Sequence, residues 1–423
     1  MSAPVEVILT SEVSGQLWNI CVWDVHSGTV LGTFKGGSSA PRTLALLRGE
    51  YLISALNNKP LLHVWTIQQR DQTCQKVVCP GRVSALTTAS DGSYCAAAIS
   101  ERIHIWEVST GKLLTVLSRH YQTVNCLSFT DDVSHLVSGG EDNLVLVWNL
   151  NSVLCPDRST LGEAEPKYSW SHHSLPVTDL YVGIGGARAR VVTSSLDHTC
   201  KLYELASGYL LLSVTFDVPL SSVRLDPAEY SLFAGGVDGR IFQAHLFTQP
   251  VRTDRHVGKE DEEQFHVFTG HSKAVTSLSM TLDGSTLLSG SQDSTAMLWD
   301  ISSTQCIRTF PHKGPVTNAV IVPTPINLVT PNAKPRLPFQ TFKRQMETGE
   351  SNVLKVCLSG VQESQSEDVS SLMEAVLHRV SEQVNDHEVE SLEEKVATLQ
   401  QEVSKLTKVN KKLYEYSVNE LLK

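Results

Sequence analysis

The sequence predicts an all-β, seven-bladed propeller followed by a C-terminal α-helical coiled coil, and three observations predict it. Strand-like runs ending in an aromatic residue recur along most of the chain at a nearly constant interval. Asp-Gly and Asp-Asp turns (Asp91–Gly92, Asp131–Asp132, Asp283–Gly284) separate alternating apolar runs, as hairpins require. Toward the C-terminus the apolar period changes from two to a strict seven.

The runs are NICVW, LLHVW, RIHIW, LVLVW, CKLY, GRIF and TAMLW, ending at Trp23, Trp65, Trp106, Trp148, Tyr203, Phe242 and Trp299. The intervals are 42, 41, 42, 55, 39 and 57 residues, and a period of about 40–45 residues built from short strands is the signature of a WD40 propeller. The two long intervals hold insertions at 151–168 and 248–264. GIGGARARVV (183–192) imitates a glycine-rich nucleotide loop, but its third glycine is missing and a strand follows where a helix is required, so it reads as a hairpin turn.

A Ser/His/Asp set precedes several of the aromatics and raises the question of catalysis. Asp293, Ser289 and His271 lie 6, 10 and 28 residues before Trp299, and Asp142, Ser138 and His120 lie at the same distances before Trp148. Asp197, Thr193 and His173 precede Tyr203, with the histidine two residues further back. An active site has no reason to recur in three blades, whereas a structural network does: Asp orients His, His meets the hydroxyl, and the hydroxyl accepts from an indole. The repeats ending at Trp65, Trp106 and Phe242 lack the histidine and must rely on packing.

The chain opens with three strands that have no preceding partner, and PVTNAVIV (315–322) supplies a further one after the last repeat. Strand 316–322 beside residues 5–10 would complete the seventh blade and remove an open edge, giving a propeller over 1–322. A Pro-rich loop follows from 323, then a short strand at 352–358 and a polar linker over 359–370. The loop carries the chain's basic-aromatic patch, Lys334, Arg336, Lys343 and Arg344 around Phe339 and Phe342, a candidate contact for RNA or an acidic protein.

Residues 371–423 read as a helix begun by a capping box at Ser371–Glu374. Val389, Val396, Val403 and Asn410 occupy one heptad position and Leu392, Leu399, Leu406 and Leu413 the other, the pattern of a parallel two-stranded coiled coil. The flanks oppose self-pairing at Glu388–Glu393, so the same face could instead meet a partner protein or the propeller. The lysines at 395, 405, 408, 411 and 412 form a solvated face matched to the helix dipole.

Composition narrows the function classes. A hydrophobic share of 41% and a charged share of 19% fit a core-forming chain, and no run approaches the roughly 18 apolar residues of a membrane span. The net charge of −10 is concentrated in residues 359–423, which hold 13 acids and 7 bases, so bulk electrostatics do not draw the propeller to nucleic acid. Nine cysteines without a CxxC pair support neither a zinc site nor a disulfide framework, and no cofactor motif occurs; a reducing compartment is expected. WDVH (23–26) and WDIS (299–302) lack the arginine that follows the Trp-Asp pair in substrate receptors of ubiquitin ligases, which weakens that alternative.

WEVSTGKLLTVLSRHYQTVNCLSF (106–129), WSHHSLPVTDLY (170–181), TSSLDHTCKLYELASGYLLLSVTFDV (193–218) and QCIRTFPHKGPVTNAV (305–320) resemble the WD repeat-containing protein 18 family of animals. The resemblance implies a non-catalytic scaffold subunit of a nuclear complex that matures the large ribosomal subunit and processes pre-rRNA spacers. The implied partners are a proline-, glutamate- and leucine-rich helical-repeat scaffold protein and a testis-expressed helical-repeat subunit. Also implied are a SUMO protease, the midasin ATPase and pre-60S particles. It further implies a homodimer formed through the C-terminal helix, and a nucleolar and nucleoplasmic location with some cytoplasmic protein.

Overall fold

The structure is a computed structural model that describes residues 5–15, 19–68, 73–154, 164–247, 253–256, 265–330 and 335–345. The chain separates into units 1–354 and 355–423, so the expected strand at 352–358, the linker and the C-terminal helix lie outside the described residues.

Among the described residues there are seven sheets, six antiparallel ones of four strands and one of five whose outermost strand pairs in parallel. In chain order we call them blade 1 (39–78), blade 2 (83–117), blade 3 (124–170), blade 4 (177–215), blade 5 (220–268) and blade 6 (275–311). Blade 7 joins both ends of the propeller: Val316–Pro323 is its inner strand, followed outward by Glu6–Glu12, Ile20–Asp24 and Val30–Phe34. The pairing is antiparallel, with Val7 opposite Val322 and Leu9 opposite Val320. Ser11, Thr317 and Asn318 bury a polar cluster at this seam, and Asn318 Nδ2 also donates to the Ala40 carbonyl of blade 1 at 2.9 Å. The ring is therefore closed by strand pairing and tied to its next blade by a hydrogen bond.

The cores lie between neighbouring blades, because each sheet has two apolar faces and must bury both. One such core runs from Leu47 and Ile53 of blade 1 to Cys95, Ala97 and Trp106 of blade 2. The Asp91–Gly92 and Asp283–Gly284 turns place their glycines at φ +79° and +70°. The Asp131–Asp132 turn instead puts Val133 at φ +57°, an unfavourable region for a β-branched residue.

The insertions are partly structural. The first contains a short helix at Leu150–Val153. The second supplies Asp254–His256, which pairs in parallel with Leu210–Thr215 as a fifth strand covering the outer edge of blade 4. Register corrects one repeat position. Trp148 stands opposite Leu136 and Trp299 opposite Leu287, but in blade 5 Ala244 stands opposite Leu232. Phe242 lies two residues short of the repeat position, which Ala244 occupies behind a turn of the same length as those of blades 3 and 6.

The loop after blade 7 returns as a strap under blades 1 and 2. Phe342 is buried and stacks on Trp106 (centroids 5.2 Å, 11°), the Lys343 carbonyl accepts from Trp106 Nε1 at 2.8 Å, and Phe339 packs on Tyr51 at 5.5 Å. Glu50 fixes the strap by accepting from the Arg336 and Leu337 N–H groups at 2.9 and 2.7 Å. Phe342→Ala is expected to destabilise the propeller by about 3 kcal/mol in denaturant titration and to increase acrylamide quenching of Trp106.

Candidate functional site

The side chains most suggestive of chemistry come together in three blades. His120 Nδ1 lies 2.9 Å from Asp142 and Nε2 lies 2.8 Å from Ser138 Oγ, which accepts from Trp148 Nε1 at 3.0 Å. His271, Asp293, Ser289 and Trp299 repeat this at 2.9, 2.7 and 2.8 Å. His173 meets Asp197 and Thr193 at 2.9 and 2.8 Å; there Tyr203 points its hydroxyl toward His172 Nδ1 at 3.4 Å and stacks on Trp170.

Each carboxylate has a second task. Asp142, Asp197 and Asp293 accept from the N–H of the residue after their histidine, at 3.0, 3.1 and 3.1 Å. They also accept from the N–H two residues further on in their own turn. A carboxylate so placed ties the loop entering a blade to the turn between that blade's two middle strands. Burial acts to raise these carboxyls, but the hydrogen bonds from imidazole, hydroxyl and N–H groups prevail and hold all three below the usual range. Burial lowers the His271 pKa against the pull of Asp293, so its ring favours the neutral form.

This arrangement has the order of a catalytic triad without its access. Ser138, Thr193 and Ser289 are fully buried, and the two serine oxygens already accept from an indole. No substrate carbonyl can reach them, so the geometry supports cross-bracing rather than nucleophilic attack.

A fourth, degenerate set spans the chain ends and was missed in the sequence. Thr10 Oγ1 accepts from Trp23 Nε1 at 2.8 Å, and Glu12 accepts from the N–H groups of Lys313 and Gly314 at 3.0 and 3.2 Å, as the aspartates do elsewhere. His312 packs edge-on against Trp23, with Nδ1 3.9 Å from Glu12. Its signal was available: His120, His173, His271 and His312 each precede by four residues the valine that opens an inner strand. Cys79 and Phe216 hold that position before Val83 and Leu220. Burial pushes the Cys79 thiol up to about 12, so it is inert, and Phe216 packs against Phe242 at 5.4 Å.

Sequence reasoning also missed an ion pair in the propeller's channel. Arg42, on the inner strand of blade 1, donates from Nε to Asp179 of blade 4 at 3.1 Å and from Nη2 to the Ser221 carbonyl of blade 5 at 2.6 Å. Asp179 also accepts from the Val223 N–H at 3.1 Å. Burial raises the Asp179 pKa while Arg42 opposes the shift. The glycine-rich loop makes a comparable internal contact. The N–H groups of Gly185, Gly186 and Ala187 cradle the carboxylates of Asp131 and Asp132 at 3.2, 2.5 and 3.0 Å. The likeness to an anion-binding loop is physical, but its anion is protein.

Of the basic-aromatic patch, Arg336, Lys343 and Arg344 are exposed and Lys334 lies outside the described residues. The rings of Phe342 and Phe339 face inward in the strap, against Trp106 and Tyr51. Val389, Leu392, Val396, Leu399, Val403, Leu406, Asn410 and Leu413 lie outside the described residues. Among the described residues no group of three or more His, Cys, Asp or Glu could hold a metal, and no helix is long and apolar enough to cross a membrane.

The family model for the WD domain, G-beta repeat, matches residues 111–149 and 262–300, the windows holding the two sets completed by tryptophan. WD repeat-containing protein 18 of Danio rerio is 44% identical, with 100% of each chain covered. The Homo sapiens protein of that name is 46% identical over 99% of this chain and 98% of its own. Pre-rRNA-processing protein pro-1 of Caenorhabditis briggsae is 29% identical over 76% of this chain and 61% of its own.

Asp293→Ala leaves a buried imidazole and two loop N–H groups without their acceptor. It is expected to cost about 1–3 kcal/mol in denaturant titration. Acid adds a second prediction. His271 and His312 both have depressed pKa values in the folded state, chiefly through burial, so the unfolded chain binds protons first near its reference value of about 6.5. Stability should be fully present above that pH and fall as pH drops toward 5. His312→Phe should shallow that decline, read from unfolding midpoints across the range.

Proposed function

This chain belongs to the WD repeat-containing protein 18 family, and on that premise we propose that it is a non-catalytic scaffold in maturation of the large ribosomal subunit, acting in pre-rRNA processing. The observation carrying this reading is full-length similarity to that family together with similarity to a relative whose name is that of a pre-rRNA-processing protein. The propeller supports it: the recurring Ser/His/Asp geometry is consumed in bracing, which leaves rigid loops on two faces for partners.

In this role the propeller binds an elongated helical-repeat scaffold protein in the nucleus. The chain self-associates through the heptads from Val389 to Leu413, whose valine, leucine and single asparagine positions favour two parallel strands. Pre-60S particles, the testis-expressed helical-repeat subunit, the SUMO protease and the midasin ATPase belong to the same proposal.

Nuclear extract sedimented on a density gradient should carry the chain with large pre-ribosomal particles, and blocking ribosome assembly should move it to lighter fractions. Migration as a small free species under both conditions would sink the ribosomal reading. Leu399→Gln with Leu406→Gln should halve the mass measured by light scattering while the propeller's unfolding midpoint is unchanged; a persisting dimer would place the interface elsewhere.

A further inference from the structure

The channel opens beside blades 1–3, on the face that carries the His–Asp loops, into a cavity of about 420 Å³. Its lining includes Arg42, Arg82, Asn57, Asn125, Ser84 and Ser100, and no carboxylate. Arg82 lies in the loop entering blade 2, where Cys79 replaces the histidine and no His–Asp brace consumes the local polar groups. Its Nη2 donates to the Asn57 carbonyl at 2.7 Å, which holds the guanidinium at the mouth. Among the described residues its other nitrogens meet no protein acceptor. Arg42 forms part of the wall, held from behind by Asp179 and Ser221, with Nη1 uncommitted among the described residues.

We infer that this cavity is a binding site for a protein partner, taking an Asp or Glu side chain from an extended segment laid across the mouth. The Arg82 guanidinium, held by the Asn57 carbonyl, offers N–H donors at low reorganisation cost, with amide and hydroxyl groups and Arg42 in the same lining. The positive spot is small. Glu141, exposed, donates its N–H to the carbonyl of Thr123, which also lines the cavity, and Glu101 follows Ser100. A single carboxylate fits such a spot, whereas an RNA backbone requires a continuous cationic track and would meet those glutamates. The inference rests on the scaffold reading only for the existence of a protein partner.

The test uses the full chain and a short fluorescein-labelled peptide with glutamate at alternate positions, followed by fluorescence anisotropy. Its glutamine counterpart and a single-stranded RNA of similar length are the comparisons. The acidic peptide should bind with a salt-dependent affinity that weakens at least about tenfold in Arg82→Glu. It should weaken comparably in Ser100→Asp, which sets a carboxylate at the mouth from a residue at φ +56° that Asp tolerates. Both positions are exposed, so unfolding midpoints should stay at the wild-type value. Equal binding of the glutamine peptide, indifference to both substitutions, absence of peptide binding, or tighter binding of the RNA would each overturn the assignment. None of these outcomes would bear on gradient co-migration, so this site and the ribosomal role fail separately.

Discussion

Everything in this propeller depends on the pairing of Glu6–Glu12 with Val316–Pro323, strands about 300 residues apart in sequence. A ring of sheets has no inner or outer layer to fall back on, because each core is shared between neighbours and an open ring leaves two sheet faces bare. Chain entropy opposes the closure, and apolar burial of Val7, Leu9 and Ile321 together with the Ser11–Thr317–Asn318 cluster supports it. The seam is also where the bracing motif is worn down. Glu12 keeps the N–H contacts of the aspartates, but His312 Nδ1 lies 3.9 Å from it and both ring nitrogens lack a partner among the described residues. The closing blade therefore relies on its strand pairing, with a polar brace that is only partly formed.

Two ways of fixing a blade coexist in one chain. Blades 3, 4 and 6 bury His, Asp and a hydroxyl in mutual satisfaction, which is tolerable only because each member has its partner. Blades 2 and 5 replace the histidine by Cys79 and Phe216, and Ala97 and Ala234 stand where the other blades have the hydroxyl, so no buried hydroxyl is left without its imidazole. Blade 2 needs more, because Trp106 still presents an indole N–H; the strap supplies the Lys343 carbonyl and the Phe342 ring. The aromatics of the basic patch are thus explained by a structural demand made more than 200 residues earlier.

The seven-blade count and the three His sets were legible because they are local and repeated: an aromatic at a near-constant interval, with Asp, hydroxyl and His at set distances before it. The closing strand was legible because the N-terminal strands lacked a partner. Phe242 misled because an aromatic two residues from the repeat position is indistinguishable from one on it until the strand register is known. The Arg42–Asp179 bridge was not legible at all. It joins blades across the ring and its residues obey no period. Likewise the inward turn of Phe339 and Phe342 depends on what lies opposite them, which a charge-and-ring pattern cannot encode.

Polar groups at the loops entering each blade face a choice between bracing and recognition. In blades 3, 4 and 6 the His–Asp contact spends them internally, and the loops gain rigidity at the expense of unsatisfied capacity. At blade 2 the corresponding position is a buried thiol, so the neighbouring Arg82 remains at the surface with donors to spare. Arg42 offers the complementary case, a side chain anchored by the far side of the ring yet still forming part of the cavity wall. The face is therefore asymmetric for a structural reason. Binding capacity accumulates where the repeat is degenerate, and the intact repeats provide the stiffness that holds it in place.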